Sequence, residues 1–388
     1  MEVVIAHSIE AFGREEWNRL FPGELEDWSY YRAVENGCLA DFSWLYFGVR
    51  DATGSLRAAV PAFLTDYRLD TTLSGGLKRF ADWLTRRFPR LLRQRMLSLG
   101  SPVSEICHLG FAPGTGADEQ QRLLGAILVQ AETIAEEKRV RMIAVKDASA
   151  AQDALWAAAA KAHGLRRQPG LPTASVDMHF ASVDDYLGSL SKATLKDVRR
   201  KLKRAEGLRM QWRANIDGIE DEVMRLYRST HANAEFNFEE LTPEYFRGVL
   251  REMGERAGCA TYWLGERLVA FNLVLHDNIP HASGQHGGGR LLDKFLGMDY
   301  AVAREYNLYF YTWIENVRRC IDLKLGVYQS GQGLHALKRR LGSRLSANWL
   351  WYRHRNRVVD AVFALVERMA RLDRQDPELA ALLKDSAP

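Results

Sequence analysis

Thr261-Tyr262-Trp263-Leu264, Gly265-Glu266-Arg267, Leu268-Val269-Ala270-Phe271-Asn272-Leu273-Val274-Leu275: two runs rich in β-branched and aromatic residues flank a glycine-bearing turn, the pattern of a β-hairpin. The span it opens, Gly258 to Tyr352, continues through a Gly-rich loop, His286-Gly287-Gly288-Gly289-Arg290. The aromatic run Leu308-Tyr309-Phe310-Tyr311-Thr312-Trp313 is predicted as a strand, followed by a helix over Ile314–Leu325, a strand over Val327–Ser330 and the basic segment Lys338-Arg339-Arg340. Strands alternating with helices of about ten to fifteen residues indicate a mixed α/β sheet, whose ligands bind where strand ends splay apart. That reasoning places function near Tyr311, Glu315 and Gln329, with the sheet parting between Tyr311 and Gln329.

Working outward, 388 residues are too many for one comfortable core and indicate two domains of about 150 to 200 residues each. A hydrophobic share of 47% and a charged share of 26% are those of an ordinary globular protein, so neither disorder nor a coiled coil is needed. No run of about 18 apolar residues occurs, so no membrane-spanning helix is expected. Met1 to His7 shows no basic region ahead of a long apolar core, so no secretory leader is expected. Cys38, Cys107, Cys259 and Cys320 have neither zinc-ligand spacing nor the density of a disulfide framework. The expectation is a cytoplasmic protein with reduced thiols and no metal site. A net charge of +4 does not by itself imply nucleic acid.

The first half reads as a strand at Val3–Ala6, helices at Glu15–Leu20 and Trp28–Glu35, and a hairpin from Trp44–Arg50 through the Asp51–Gly54 turn to Leu56–Thr65. A helix over Asp118–Lys138, a strand at Met142–Lys146, a helix at Ala150–Ala162 and a strand at Ala174–Met178 complete it. The second half restarts at Ser182, with Asp185 placed for capping, and runs through helices at Lys192–Glu206, Ile219–Thr230 and Pro243–Ala257 before the hairpin. Helices followed by a glycine-turn hairpin occur in both halves. The expected plan is therefore two tandem mixed-sheet domains, 1–178 and 179–388, joined near Pro169 to His179, with a basic helical insertion at about 74–98 in the first.

Leu226-Tyr227-Arg228-Ser229-Thr230 through Tyr245-Phe246, Leu268 to Leu273, and Leu308-Tyr309-Phe310 through Gly331-Gln332-Gly333 with Lys338 and Trp349 resemble the FemAB-like branch of the GNAT acyltransferases. The resemblance covers Ser182 to Trp351 well and the first half by element order. It implies tandem GNAT-like domains and transfer of an acyl group to an amine, the donor being a thioester on coenzyme A or an acyl carrier protein, with no tightly bound cofactor. An aminoacyl-tRNA donor, as in Fem-type enzymes, is the alternative, and a non-catalytic GNAT-like binding protein a second one. One departure stands out. Pyrophosphate loops of this superfamily aim backbone N–H groups from spaced glycines at phosphate, whereas the helix expected here begins Ile314-Glu315-Asn316, with no glycine and an anion. This tells against coenzyme A in the standard pose and makes Arg290 in the Gly-rich loop, or Lys294 ahead of Gly297, the replacement candidates.

Acyl transfer to an amine needs a deprotonated amine and two closely positioned substrates; positioning alone lowers a barrier by about 7 to 11 kcal/mol. The candidate bases are Glu235, in the loop that would cover the acceptor, His286 and Glu315. Asn237, Tyr309, Tyr311, Gln329 and Ser330 are candidates for substrate binding, and Arg290, Lys294, Lys338 and Arg339 for the donor's anionic groups. Glu239-Glu240 and Asp184-Asp185 read as ordinary capping and surface charges. Three basic stretches stand out: an amphipathic one from Leu77 to Arg95, a cap over the sheet or a dock for an acidic carrier, tRNA or a membrane surface; Lys192 to Arg204; and Lys338 to Arg340.

Overall fold

The computed structural model describes residues 1–68, 93–234, 238–277, 288–357, 359–361 and 363. Glu235, Asn237, His286 and most of the expected insertion lie outside them. In chain order the first half holds β1 (Glu2–Ala6), α1 (Arg14–Leu20), α2 (Trp28–Glu35), β2 (Phe42–Arg50), β3 (Leu56–Arg68), β4 (Arg93–Leu99), β5 (Gly110–Phe111), α3 (Ala117–Glu137), β6 (Met142–Ser149), α4 (Asp153–Ala162), β7 (Arg166–Pro169) and β8 (Thr173–Asp177). The second half holds α5 (Val183–Ser189), α6 (Lys192–Lys203), β9 (Leu208–Arg213), α7 (Glu220–Asn233), α8 (Pro243–Met253), β10 (Ala257–Leu264), β11 (Arg267–His276), β12 (Arg290–Met298), α9 (Tyr300–Ala303), α10 (Leu308–Asp322), β13 (Val327–Gly331), α11 (His335–Arg340), β14 (Arg344–Ser346) and β15 (Asn348–His354).

Two mixed sheets result. The first runs β1-β2-β3-β4-β6-β15-β7 with β5 beside β3, the second β14-β8-β13-β12-β11-β10-β9. In each, antiparallel strands lead to one parallel pair, β4 with β6 and β12 with β13. The halves exchange strands at this point. β8 leaves the first half to pair with β13 and β14, and β15 returns from the second half to pair with β6 and β7. A seam drawn after Met178 therefore puts one strand of each segment in the other's sheet.

Helix starts follow local chemistry. Asp27 caps α2 by accepting from the N–H groups of Ser29 (2.9 Å) and Tyr30 (3.4 Å). Thr242 caps α8 by accepting from the Tyr245 N–H (3.1 Å), and Pro243 fills the first turn, where no donor is needed. Ser182 accepts from the Asp185 N–H and Asp185 from the Ala181 N–H, both at 3.0 Å. These two helices, α2 and α8, pack against each other and bring the halves together. Tyr30, Ala33, Val34, Phe63 and Met96 of the first half share one core cluster with Tyr245, Phe246, Val249 and Phe271 of the second. Inside it the hydroxyls of Tyr30 and Tyr245 meet at 3.0 Å, and that of Tyr30 also donates to the Val103 carbonyl (3.1 Å).

Two expectations are corrected. Leu308–Trp313 is not a strand but the first turns of α10, because Leu308, Thr312, Trp313, Asn316, Val317 and Cys320 all point inward at helical spacing. The expected insertion also does not reach residue 98: Arg93–Leu99 is a strand paired between β3 and β6.

Candidate functional site

The second sheet opens between β12 and β13, and Tyr311, being helical, is on neither side of the opening. The two strands pair only over Arg290–Leu292 and Val327–Gln329 and then separate. At the parting β12 carries a bulge: Leu273 pairs with Phe295 and Val274 with Asp293, which leaves Lys294 without a partner in the ladder. A bulge re-aims side chains, and here it turns two adjacent charged residues, Asp293 and Lys294, to different surroundings.

Asp293 belongs to a polar cluster beneath α10. Its carboxylate accepts from Asn272 Nδ2 (2.6 Å), Asn316 Nδ2 (3.2 Å) and the Tyr328 hydroxyl (3.1 Å). Burial pushes the Asp293 carboxyl up, while these donors and the Lys338 ammonium pull it down. Lys338, buried in α11, reaches back to the end of β13, where its Nζ donates to the carbonyls of Ser330 (2.5 Å), Gly331 (2.9 Å) and Gln332 (3.4 Å). Burial pulls its ammonium down; Glu105 and Asp293 oppose that. A cation thus stands at the parting with a carboxylate from each half within electrostatic reach.

Lys294 points to the first half. It pairs with Glu26, donates to the Val103 carbonyl (2.7 Å) and lies 5.0 Å from the Tyr30 ring centre. Both charged side chains are only 5% exposed. Close by, Glu24 takes Arg290, and His108 Nε2 stands 3.4 Å from Glu24 and 3.6 Å from Glu26. Burial pushes Glu24 up, but His108 and Arg290 outweigh it and hold the carboxyl at about 2. Glu105 of the first half accepts from Gln329 Nε2 (2.8 Å) and lies so close to Gly331 (φ +84°) that a Cβ there would meet its Oε1 at 2.7 Å. The positive φ is what favours glycine at 331.

Glu239 completes this face. It lies in the loop between α7 and α8, whose backbone is held by His231 Nε2 against the Glu239 carbonyl (3.1 Å) and by the Leu241 N–H donating to the Tyr227 hydroxyl (3.0 Å). Burial pushes its carboxyl up to about 7, against the pull of the Lys146 and Lys294 ammonium groups, with Asp147 adding to the rise. A carboxyl that titrates near neutrality beside two lysines suits proton transfer. The reading of Glu239 as an ordinary surface charge is therefore corrected. Its perturbing neighbours come from β6 and β12, distant in the chain, so no local signal marked it.

The anticipated residues divide. Gln329, Ser330 and Lys338 meet at the parting, with the Ser330 hydroxyl donating to the Ala174 carbonyl (3.3 Å). Arg290 and Lys294 are engaged by Glu24 and Glu26, and Arg339 is exposed at the end of α11. Tyr309 and Tyr311 pack in α10, Tyr309 against Trp313 and Tyr311 edge-on to Tyr262 at 5.8 Å. Glu315 sits in the middle of α10 and not at its start; burial pushes it up, and Arg318 Nε at 3.4 Å opposes that. A separate open cleft of about 540 Å³ lies at the other end of β12 and β13, lined by Glu24, Asp177, His179, Asp277, Arg290 and Val327 among others. It opens where Arg290 and Val327 begin the paired stretch, not where the strands separate.

Residues 189–339 match the family model of the acetyltransferase (GNAT) domain. The second half thus carries a GNAT-type domain over these residues. Solved structures of the same fold span both halves. FemX aligns with a TM-score of 0.58 at 12% identity, covering 93% of this chain and 99% of that one. The C-terminal domain of a putative lysylphosphatidylglycerol synthetase from Agrobacterium fabrum aligns at 0.52 and 12%, covering 92% and 96%, and L-PGS from Bacillus licheniformis at 0.50 and 12%, covering 93% and 95%. At the level of sequence no curated protein matches the chain. Among the described residues no helix is long and apolar enough to cross a membrane.

Proposed function

We propose that the chain is an N-acyltransferase that moves an acyl group from a thioester, carried on coenzyme A or an acyl carrier protein, to an amine. The observation that supports it most is Glu239, a carboxyl raised to about 7 on the loop that faces β12 where the second sheet opens. An acceptor amine is protonated in water and must lose a proton before it can attack. In this reading Glu239 takes that proton, the amine nitrogen bonds to the thioester carbonyl carbon, the carbon–sulfur bond breaks, and the departing thiolate takes the second proton that the nitrogen sheds as the amide forms, leaving as free thiol. The donor enters between β12 and β13; Lys338 and Gln329 hold the strand end that borders it, and the first half, through Glu26, Ser104 and Glu105, walls the acceptor side. Four unpaired cysteines suit a reducing compartment such as the cytoplasm.

Release of free thiol from acyl-coenzyme A and acyl carrier protein thioesters, short and long, in the presence of mixed amines tests the reading. Amine-dependent release is expected from at least one donor; no release from any would overturn it. An aminoacyl-tRNA donor is the second reading, favoured by the cations of α6. It predicts RNA binding that weakens steeply with salt and aminoacyl transfer without any thioester.

A further inference from the structure

The chain's net charge of +4 has a local source. α6 with its C-cap Arg204 holds Lys192, Lys196, Arg199, Arg200, Lys201, Lys203 and Arg204 against Asp197, a net +6, so the other 46 basic and 48 acidic residues sum to −2. The helix is two-faced. Thr194 and Val198 are buried, Leu195 and Leu202 pack on the core of the second half, and Lys201 lies 3.6 Å over the Phe310 ring. Lys192, Lys196, Arg199, Arg200 and Lys203 are exposed at spacings of three and four, which makes one stripe about 17 Å long. Asp197 holds Arg200 (2.7 Å), Lys201 (2.9 Å) and, from α11, Arg340 (3.5 Å), and Asp184 stands 3.9 Å from Arg199. Among the described residues Lys192, Lys196, Lys203 and Arg204 make no ion pair. Seven cations on one short helix cost self-repulsion, which a bound polyanion relieves.

The stripe leads to the donor side of the domain. The Asn307 side chain, at the start of α10, donates to the Lys201 carbonyl (3.5 Å), and α10 follows, after the short α9, the strand that borders the opening. The connection from Asp299 to Asn307 contains no glycine, is occupied by α9 and carries Glu305, so it lacks the bare backbone with which a nucleotide diphosphate is gripped. Positive charge is instead spread along a length far greater than a diphosphate. No large apolar side chain is exposed on α6, so it offers neither a surface for stacking bases nor a wedge for a bilayer.

Resting on the thioester reading above, we propose that the outer face of α6 docks a small acidic carrier protein, whose acyl chain then enters between β12 and β13. Complementary charge speeds and orders such an encounter, and its contribution falls with salt.

The test compares the full chain with a Lys196→Glu/Arg199→Glu/Lys203→Glu variant. Binding of an acidic acyl carrier protein is followed by fluorescence anisotropy, and transfer from the acyl carrier protein and from the matching acyl-pantetheine is followed in parallel. Binding of the carrier and its KM should weaken roughly tenfold or more in the variant, while kinetics with acyl-pantetheine hold. The Lys196→Gln/Arg199→Gln/Lys203→Gln variant should fall between the two. Carrier binding unchanged by reversal, or an equal loss with acyl-pantetheine, would overturn the proposal. Tighter binding to a tRNA-sized RNA than to the carrier, lost on reversal, would reassign the face to RNA. Binding is read without turnover, so carrier docking by a protein that releases no thiol sinks the thioester reading and leaves the surface standing.

Discussion

The two sheets part at equivalent places and are lined by opposite chemistries. In the first, β4 and β6 pair from Met96 with Met142 to Leu99 with Val145 and end at Gly100, whose added Cβ would meet the Lys146 carbonyl at 3.0 Å. Beyond that point the loop Ser101–His108 is fastened across: the Cys107 N–H donates to the Asp147 carbonyl and Lys146 Nζ to the Ser104 carbonyl, both at 2.8 Å. Leu97, Leu99, Val145 and Ala148 pack with Leu124 and Leu128 of the crossover helix α3. In the second, the equivalent crossover helix, α10, buries Thr312, Glu315 and Asn316, and Asp293, Tyr328 and Lys338 stand at the parting. One topology serves as a brace when its opening is sewn shut over apolar residues. The same topology offers a candidate site when that opening is lined by groups that cost free energy to bury.

Of the changes that test this division, Glu239→Gln has the largest expected effect. General-base catalysis contributes about 10²- to 10⁴-fold, so turnover should fall within that range with the fold intact. The wild-type rate should climb as pH rises through about 7, the value to which burial raises this carboxyl. Stability runs the other way. Because the folded-state value lies above the ordinary 4.5, the folded protein holds the extra proton between those limits, and stability declines as pH rises from 4.5 to about 7. Charging Glu239 costs the folded state roughly 3 kcal/mol, so the Gln variant should gain on the wild type above pH 7 and not below 4.5. A pH–rate profile and urea titrations at pH 4.5 and 8 measure both; a flat profile near neutrality would move the base elsewhere.

Next comes the contact between the two regions. Lys294→Met leaves Glu26 buried without its cation, which costs about 3 to 5 kcal/mol in urea unfolding, whereas adding Glu26→Gln should restore most of the loss. Failure of the second change to rescue would mean that Lys294 matters for packing on Tyr30 rather than for charge.

Much of this architecture was legible because the hairpins and the apolar helices carry their own periodicity. Trp28–Glu35 matches the reading to the residue, and Leu56–Thr65 falls within β3. What escaped were the elements that serve the site. β12, Arg290–Met298, has Asp293 and Lys294 where a central strand should be apolar, and only the bulge, with partners on α10 and in the first half, makes that tolerable. Tyr309, Phe310 and Tyr311 have strand-like propensity, and tertiary packing overrode it once the window reached Val317 and Cys320. The exchange of β8 and β15 left no local trace, since pairing across the halves is a property of neither segment alone.

A smaller effect separates the brace from the site on the first half's side. Leu128→Ala in α3 removes a side chain that is 1% exposed from an apolar cluster, and should cost about 2 to 5 kcal/mol of stability. Turnover per folded molecule, measured below the melting transition, should hold. A fall in kcat at full folding would show that the first opening takes part in the chemistry after all.

The smallest expected effect is at Glu315. It is buried in the same crossover helix as Asn316, yet its own neighbours are Arg318, Tyr262 and Tyr311, not the lysines at the parting. Burial already raises its carboxyl, so Glu315→Gln removes a charge that the fold holds at a cost, and the change should leave turnover within about twofold and stability above pH 7 equal or slightly higher. The comparison with Glu239→Gln is what gives this variant its value. Both substitutions remove a carboxyl of raised pKa, but one faces Lys146 and Lys294 across the two halves and the other sits within a helix of one half. Were Glu315→Gln the variant that loses turnover, proton transfer would belong on the α10 face, and the first half would be a brace with no share in the acceptor site.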